Sequence, residues 1–276
     1  MAEAPLMTRP LALRIGQSEA DHFGSWLKVM LGQEDNPFGI EIRRFGRAVA
    51  FVNEGMTLGP LFNRVLGFGD AEAAFLGEIV QFYAERGLAC RIDVNPYDAG
   101  PALFDLLAGA GLHPFRFHDH LYGVPPAPAT EVAAGPVTAR VIRSEELPAW
   151  AEVWLQGYAE ALGTSAAMAE RIAAATLRLW GQPGWDLYLA FVDGQVAAAG
   201  ALYVQDRVAS LLVGATLPAF RRRGCQGALL QARMADAAAQ GCDLIVAQAG
   251  LDTTSHHNME RAGLRIAYTR GFWLRR

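Results

Sequence analysis

The chain has 276 residues, 52% hydrophobic and 19% charged, enough apolar material for one large or two ordinary folded domains and too much for a disordered protein. A formal net charge of −4 disfavours general nucleic-acid binding, and no uninterrupted apolar stretch reaches membrane-spanning length, so neither nucleic acid nor a membrane is expected as a partner. The three cysteines (Cys90, Cys225, Cys242) lack metal-ligand spacing, and the first 16 residues are too interrupted by charges and prolines for a secretory signal. Both observations point to a reducing cytoplasm.

In chain order, Gly67-x-Gly69 starts like a dinucleotide fingerprint, but Glu72 takes the place of its third glycine, and no P-loop pattern occurs anywhere. The spacing of Phe75, Leu76, Ile79, Val80 and Tyr83 predicts a helix ending at Gly87, followed by a strand over 88–94 and a helix over 101–107. His118-Asp119-His120 puts two histidines on one face of a possible strand, with no third ligand evident, so no metal site is assigned. Pro125, Pro126, Pro128 and Pro136 favour an extended spacer. They divide the chain into 1–124, a linker over 125–136, and 137–276.

Beyond the linker the pattern predicts a strand over 139–142 and a helix capped by Ser144 that carries Trp150, Val153, Trp154 and Tyr158. At that spacing the aromatic residues suit a core stripe more often than a stack for an aromatic or apolar acceptor. A second helix covers 166–180. The Asp193-Gly194 turn joins strands over 187–192 and 196–204, because Asp-Gly supplies the positive φ of a tight turn. Strand 208–215 leads into Thr216-Leu217-Pro218-Ala219-Phe220-Arg221-Arg222-Arg223-Gly224-Cys225-Gln226-Gly227-Ala228. A helix over 227–240, a strand over 244–249, a helix over 254–262 and final strands within 265–274 follow.

An apolar strand, a proline turn, a basic glycine loop and a helix start together make an anion site. The first amides of a helix lack intrahelical partners and carry the positive end of its dipole, and glycine lets a phosphate approach the backbone. Arg221-x-x-Gly224-x-Gln226 with Thr216-x-Pro218 ahead of it resembles the coenzyme A pyrophosphate loop of the GNAT N-acetyltransferase superfamily. It departs from that pattern at Gln226, where a small residue is usual and Gly227 follows. In the first half Arg64-x-x-Gly67-x-Gly69 also fits the pattern, and Ala110-Gly111-Leu112 parallels Ala262-Gly263-Leu264. The arrangement is similar to tandem GNAT proteins, with a degenerate first copy in which Asp70 opposes phosphate binding.

The resemblance implies an α/β (α+β) fold of two tandem GNAT-like domains, each a mixed, mostly antiparallel sheet flanked by helices. It implies direct transfer of an acetyl group from acetyl-CoA to a primary amine of a small molecule or amino acid. A tandem copy covers the face that single-domain relatives bury in a dimer, so a monomer is expected. Amides of Val213, Gly214, Ala215 and Thr216 would face the pantetheine arm and acetyl group, with Gly214 toward the oxyanion. Arg221, Arg222, Arg223, Gly224, Cys225, Gln226, Gly227 and Ala228 would hold the pyrophosphate, and Asn258 would contribute from the last helix. Counting back from Gly263 puts Met259 where the family carries its tyrosine proton donor and Asp252 where it carries an asparagine. Ser255, His256 or Tyr268 would then serve the leaving sulfur, and Glu160, Asp186 or His256 the amine. Methionine at the donor position also motivates a non-catalytic acyl-CoA sensor or interaction module, and a protein N-acetyltransferase is the third reading.

Overall fold

The structure is a computed structural model and describes residues 4–56, 62–127, 136–162 and 165–275. Most of the proline-rich segment, 128–135, lies outside the described residues. The chain forms two compact units. Leu6–His120 with Ile266–Arg276 make the N-terminal unit, and Leu121–Arg265 with Met1–Pro5 make the C-terminal unit.

The N-terminal unit opens with helix α1 (Arg9–Leu31), whose first turn carries Pro10 and is capped by the Thr8 hydroxyl accepting from the Leu11 amide at 3.4 Å. Neither α1 nor the hairpin of β1 (Ile40–Phe45) and β2 (Ala48–Asn53) is assigned by the sequence patterns above. Strand β3 (Arg64–Phe68) runs parallel to β4 (Cys90–Val94), with helix α2 (Leu76–Ala84) between them in sequence. Helix α3 (Pro101–Gly109) and the first residues of β5 (His113–Gly123) follow. With β11 (Arg265–Arg275) the strand order is β1-β2-β3-β4-β11-β5. Only Arg265 of β11 belongs to the C-terminal unit, so the final segment, read with 137–276, is one strand that pairs β4 from Gly271↔Val94 to Arg275↔Cys90.

Residues 64–69, which fit the coenzyme-loop pattern in sequence, are mainly a strand. Val65, Leu66 and Phe68 are buried core residues, and the Arg64 guanidinium is itself buried against Glu19 at 2.9 Å. Beyond the strand, a Cβ on Gly69 would stand 2.4 Å from the Asp98 carboxylate, and Asp70 accepts the Gly100 amide at 3.0 Å. The unit's own carboxylates thus fill the space where a phosphate would need amides and open room.

The C-terminal unit contains β6 (Val137–Val141), α4 (Leu147–Leu162), α5 (Ala166–Leu177), β7 (Trp185–Val192), β8 (Gln195–Gln205), β9 (Val208–Thr216), α6 (Cys225–Ala239), β10 (Leu244–Gly250) and α7 (Thr254–Arg261). Its strand order is β5-β10-β9-β8-β7-β6, with the end of β5 from Leu121 onward contributing. β6 to β9 form an antiparallel meander, and β10 returns parallel to β9 after α6. Asp193 and Gly194 take φ of 51° and 79°, as the tight turn requires. Leu229, Leu230, Met234 and Ala237 form the buried stripe of α6 in the main core of this unit, with Tyr188, Ala198, Leu202 and Leu211 of the sheet. Ser144 does not cap α4. It lies in a short 3₁₀ turn ahead of the helix, and Glu146, paired with Arg140 at 2.6 Å, accepts the Arg143 amide at 2.8 Å and closes the turn one residue earlier.

Candidate coenzyme and acyl-transfer site

β9 is interrupted by a β-bulge. Gly200 opposes Gly214 while Ala201 opposes Leu212, which leaves Val213 as the extra residue, at φ 52°. A β-branched residue at positive φ is strained by roughly 1–3 kcal/mol and persists only where its surroundings fix it. The fixing group is Arg233 of α6. Its buried guanidinium donates to the carbonyls of Leu212 at 2.7 Å, Ala201 at 3.1 Å and Val213 at 3.2 Å, and its Nε to Leu229 at 2.9 Å. Burial pulls this guanidinium down to about 10. Gly200 leaves the room for it, since a Cβ there would meet the Arg233 Cζ at 3.2 Å.

The parallel pairing of β9 with β10 runs from Val208↔Leu244 to Leu211↔Ala247, while β9 continues to Thr216 and β10 to Gly250. Past the bulge the two strands therefore have unpaired edges. The Gly214 amide lies on this stretch and donates to the Tyr158 hydroxyl at 3.0 Å. Tyr158 stacks on Trp154, ring centroids 5.7 Å apart, and Trp154 and Trp150 are core residues. Gly157 brings α4 this close to β9: a Cβ there would lie 2.5 Å from the Ala215 Cβ.

Downstream, a 3₁₀ turn over Pro218–Phe220 leads into the basic loop; Gly224, in the left-handed region at φ 86°, is the N-cap, and α6 starts at Cys225, two residues ahead of Gly227. No side chain caps α6 and its first turn has no acidic residue. The amides of Cys225, Gln226 and Gly227 therefore have no intrahelical partner, the first such bond being Ala228 N–H to Gly224 O at 3.0 Å. Cβ atoms at Gly224 and Gly227 would meet nothing within 4 Å, so there is open room beside both glycines. Arg221 and Arg222 are exposed and have no acidic partner among the described residues; Arg223 pairs with Asp193 at 3.0 Å. A coenzyme pyrophosphate fits this site on its own chemistry: uncapped amides, open glycines, two uncommitted cations.

Cys225 is buried, its thiol donating to the Phe220 carbonyl at 3.6 Å, and burial pushes its pKa up, so it is no nucleophile. Gln226 bridges α6 to α7, donating to Ser255 Oγ at 2.9 Å and accepting from Asn258 Nδ2. Ser255 and Asn258 are thus brought to the helix start. His256 is not: it is buried, and its Nδ1 accepts from the Asp252 amide in the turn ahead of its helix. Met259 lies in the core, Asp186 accepts from Gln240 at 3.2 Å, and the Glu160 side chain lies outside the described residues. Tyr268 belongs to the N-terminal unit.

There Tyr268 helps to line a cavity of about 330 Å³, with His120, Glu19, Asp93, Arg270 and Asn95 among its walls. Its charged walls are committed to one another. Glu19 pairs with Arg64 and Arg270, Asp93 with Arg91 at 2.5 Å, and Tyr268 stacks on His120 at 4.7 Å. His118 stacks on Phe272, and burial pulls it down to about 3 and His22 to about 4.

The parallel strands that part past Leu211 and Ala247, the bulge and the uncapped helix start lie on adjacent elements of the C-terminal unit. Residues 130–250 match the model of the acetyltransferase (GNAT) domain family, whose members use acetyl-CoA. Its fold is similar to that of a GCN5-related N-acetyltransferase from Kribbella flavida, at 19% identity and TM-score 0.63 over 95% of each chain. A GCN5-related N-acetyltransferase from Sphaerobacter thermophilus aligns at 17% identity and TM-score 0.59, over all of this chain and 95% of that one. A tandem GNAT protein from the clavulanic acid biosynthesis pathway aligns at 15% identity and TM-score 0.58, over 93% and 95%. No curated protein matches the chain in sequence.

Proposed function

We propose that the protein transfers an acetyl group from acetyl-CoA to a primary amine of a small molecule or amino acid, in its C-terminal unit. The observation that carries this reading is the Val213 bulge beside the uncapped start of α6, which provides an acyl-facing amide and a pyrophosphate cradle on adjacent elements. Bound acetyl-CoA supplies an activated thioester. Arg221, Arg222 and the amides of Cys225 to Gly227 hold its phosphates, Gln226 braces the helix start, and the Gly214 amide meets charge developing on the carbonyl oxygen. The incoming amine must be unprotonated to attack, so an α-amine near pKa ~8 needs less help than a lysine-like amine near ~10.4. The reading places the protein in the cytoplasm as a monomer; no described helix is long and apolar enough to cross a membrane.

Gly227→Glu tests the cradle without endangering the fold. Position 227 lies inside α6 with open space around it, so the substitution should raise ligand-free stability by about 0.5–1 kcal/mol through helix propensity. It places a carboxylate where the pyrophosphate would sit. Acetyl-CoA at 100 times its Kd should stabilise the wild type by about 2.7 kcal/mol in a thermal-shift titration and leave the variant unmoved. An equal shift in both would remove the pyrophosphate from this loop.

Burial of Met259 in the core favours a second reading, an acyl-CoA sensor that binds without turnover. Amine-dependent release of free thiol from acetyl-CoA distinguishes the two.

A further inference from the structure

We propose that Tyr158, on α4, is the proton donor to the departing coenzyme thiolate. This inference rests on the acetyltransferase reading above and names the group that completes it.

Four observations converge on this hydroxyl. It is the side-chain group that the structure seats on the Gly214 amide, at 3.0 Å, the amide turned outward by the bulge. The phenol oxygen accepts that amide's hydrogen, so the phenol's own proton is left to donate elsewhere. Second, of the other groups offered for this role, His256 is buried with its Nδ1 accepting from Asp252, Tyr268 lies within the N-terminal unit and Met259 has no proton to give. Ser255, which accepts from Gln226, keeps its proton as Tyr158 does but makes no hydrogen bond to the Gly214 amide. Third, the contact is built. Gly157 lets α4 press on Ala215, Trp154 stacks on the ring, and Arg233 holds the bulge whose amide Tyr158 meets. Fourth, burial raises the phenol's pKa, against smaller opposite pulls from the Gly214 amide and Arg233, so at neutral pH it holds its proton.

In the ligand-free protein the phenol oxygen occupies the acceptor position that an acyl oxygen takes during transfer. When the acyl oxygen claims the Gly214 amide, the phenol is displaced but stays beside the reacting carbon. The amine nitrogen forms a bond to the acyl carbon, and the carbon–sulfur bond breaks. The sulfur takes the phenolic proton, and the phenolate takes the proton that the attached nitrogen must lose. The sum is amine plus thioester giving amide plus thiol, with Tyr158 returned to its starting state.

Tyr158→Phe keeps the ring and its stack on Trp154, and water can take the vacated position on the partly exposed strand. With purified full chain and a panel of primary amines, kcat for thiol release should fall about 100-fold. The Kd for acetyl-CoA and the KM for the amine should stay within about threefold. A kcat within threefold of the wild type would overturn the role of Tyr158 and leave the acetyltransferase reading intact. So would a fall confined to kcat/KM through a raised KM, which marks a packing role. Wild-type protein that binds acetyl-CoA yet releases no thiol with any amine would overturn both.

Discussion

Arg233→Met should lower the unfolding free energy of the C-terminal unit by about 3–5 kcal/mol and abolish amine-dependent thiol release. Methionine matches the stem of the arginine but brings no donor. The carbonyls of Ala201, Leu212 and Val213 would lose their common donor, the buried Ala201 acceptor costing about 1–3 kcal/mol and the part-buried Leu212 and Val213 acceptors less. The strained φ of Val213 would lose what fixes it, and the bulge would relax toward a regular ladder that turns the Gly214 amide back toward its neighbour strand. Urea denaturation followed by tryptophan fluorescence reads the stability, because the Trp150 indole donates to Gly200 beside the guanidinium. Arg233→Lys should recover part of the stability, since one ammonium reaches fewer of the carbonyls. A methionine variant with unchanged midpoint and full turnover would show that the bulge holds without its cation.

Glu19→Gln should cost the N-terminal unit up to about 3–5 kcal/mol, because it leaves the buried Arg64 and Arg270 guanidinia with Asp93, at 3.4 and 3.3 Å, in place of two shared carboxylates. The pH dependence separates two contributions. Burial pushes the Glu19 carboxyl up, but Arg270 and Arg64, with His120, outweigh it and hold it well below 4.5. A carboxylate depressed in the folded state stabilises above its unfolded pKa, so that stability is lost as pH falls below about 4.5. His22 is buried and pulled down to about 4, mainly by desolvation, so below about 6.5 the unfolded chain takes up a proton that the folded chain refuses. From that histidine alone stability should fall by about 3 kcal/mol between pH 7 and pH 4. Acid titration monitored by circular dichroism should therefore show loss beginning near pH 6.5 and steepening below 4.5 in the wild type. In Glu19→Gln the lower step should shrink to what Glu146 and His118 contribute, while the histidine step remains. A wild-type profile flat from pH 7 to pH 5 would mean that His22 is solvated.

The alternation of strand, turn and helix in residues 185–262 was legible because each element carries its own local signal: Asp193-Gly194 at the turn, the apolar run before Thr216, the glycine after the arginines. The bulge was not legible. Val213 is β-branched inside an apolar run and reads as ordinary strand; its positive φ is imposed by Arg233, whose place on the buried stripe with Leu229, Leu230 and Ala237 is visible only once the helix face is known. Tyr158 likewise reads as one more aromatic in a core stripe until Gly157 shows how near the strand lies. Helix α1 escaped for a related reason. Ser18, Glu19 and His22 are buried on it, so polar residues interrupt the apolar periodicity that would announce a helix. The motif at Arg64 falls on a strand, because a short pattern ignores its neighbours: Val65, Leu66 and Phe68 are buried strand residues.

Strand β11 also sets an order of assembly during synthesis. The N-terminal unit needs residues 266–275 to pair with β4 and to bring Arg270 to Glu19, yet the ribosome delivers them only after the whole stretch 121–265. Until then β4 has an unpaired edge and Glu19 lacks one of its arginines, so the half made first is the half completed last.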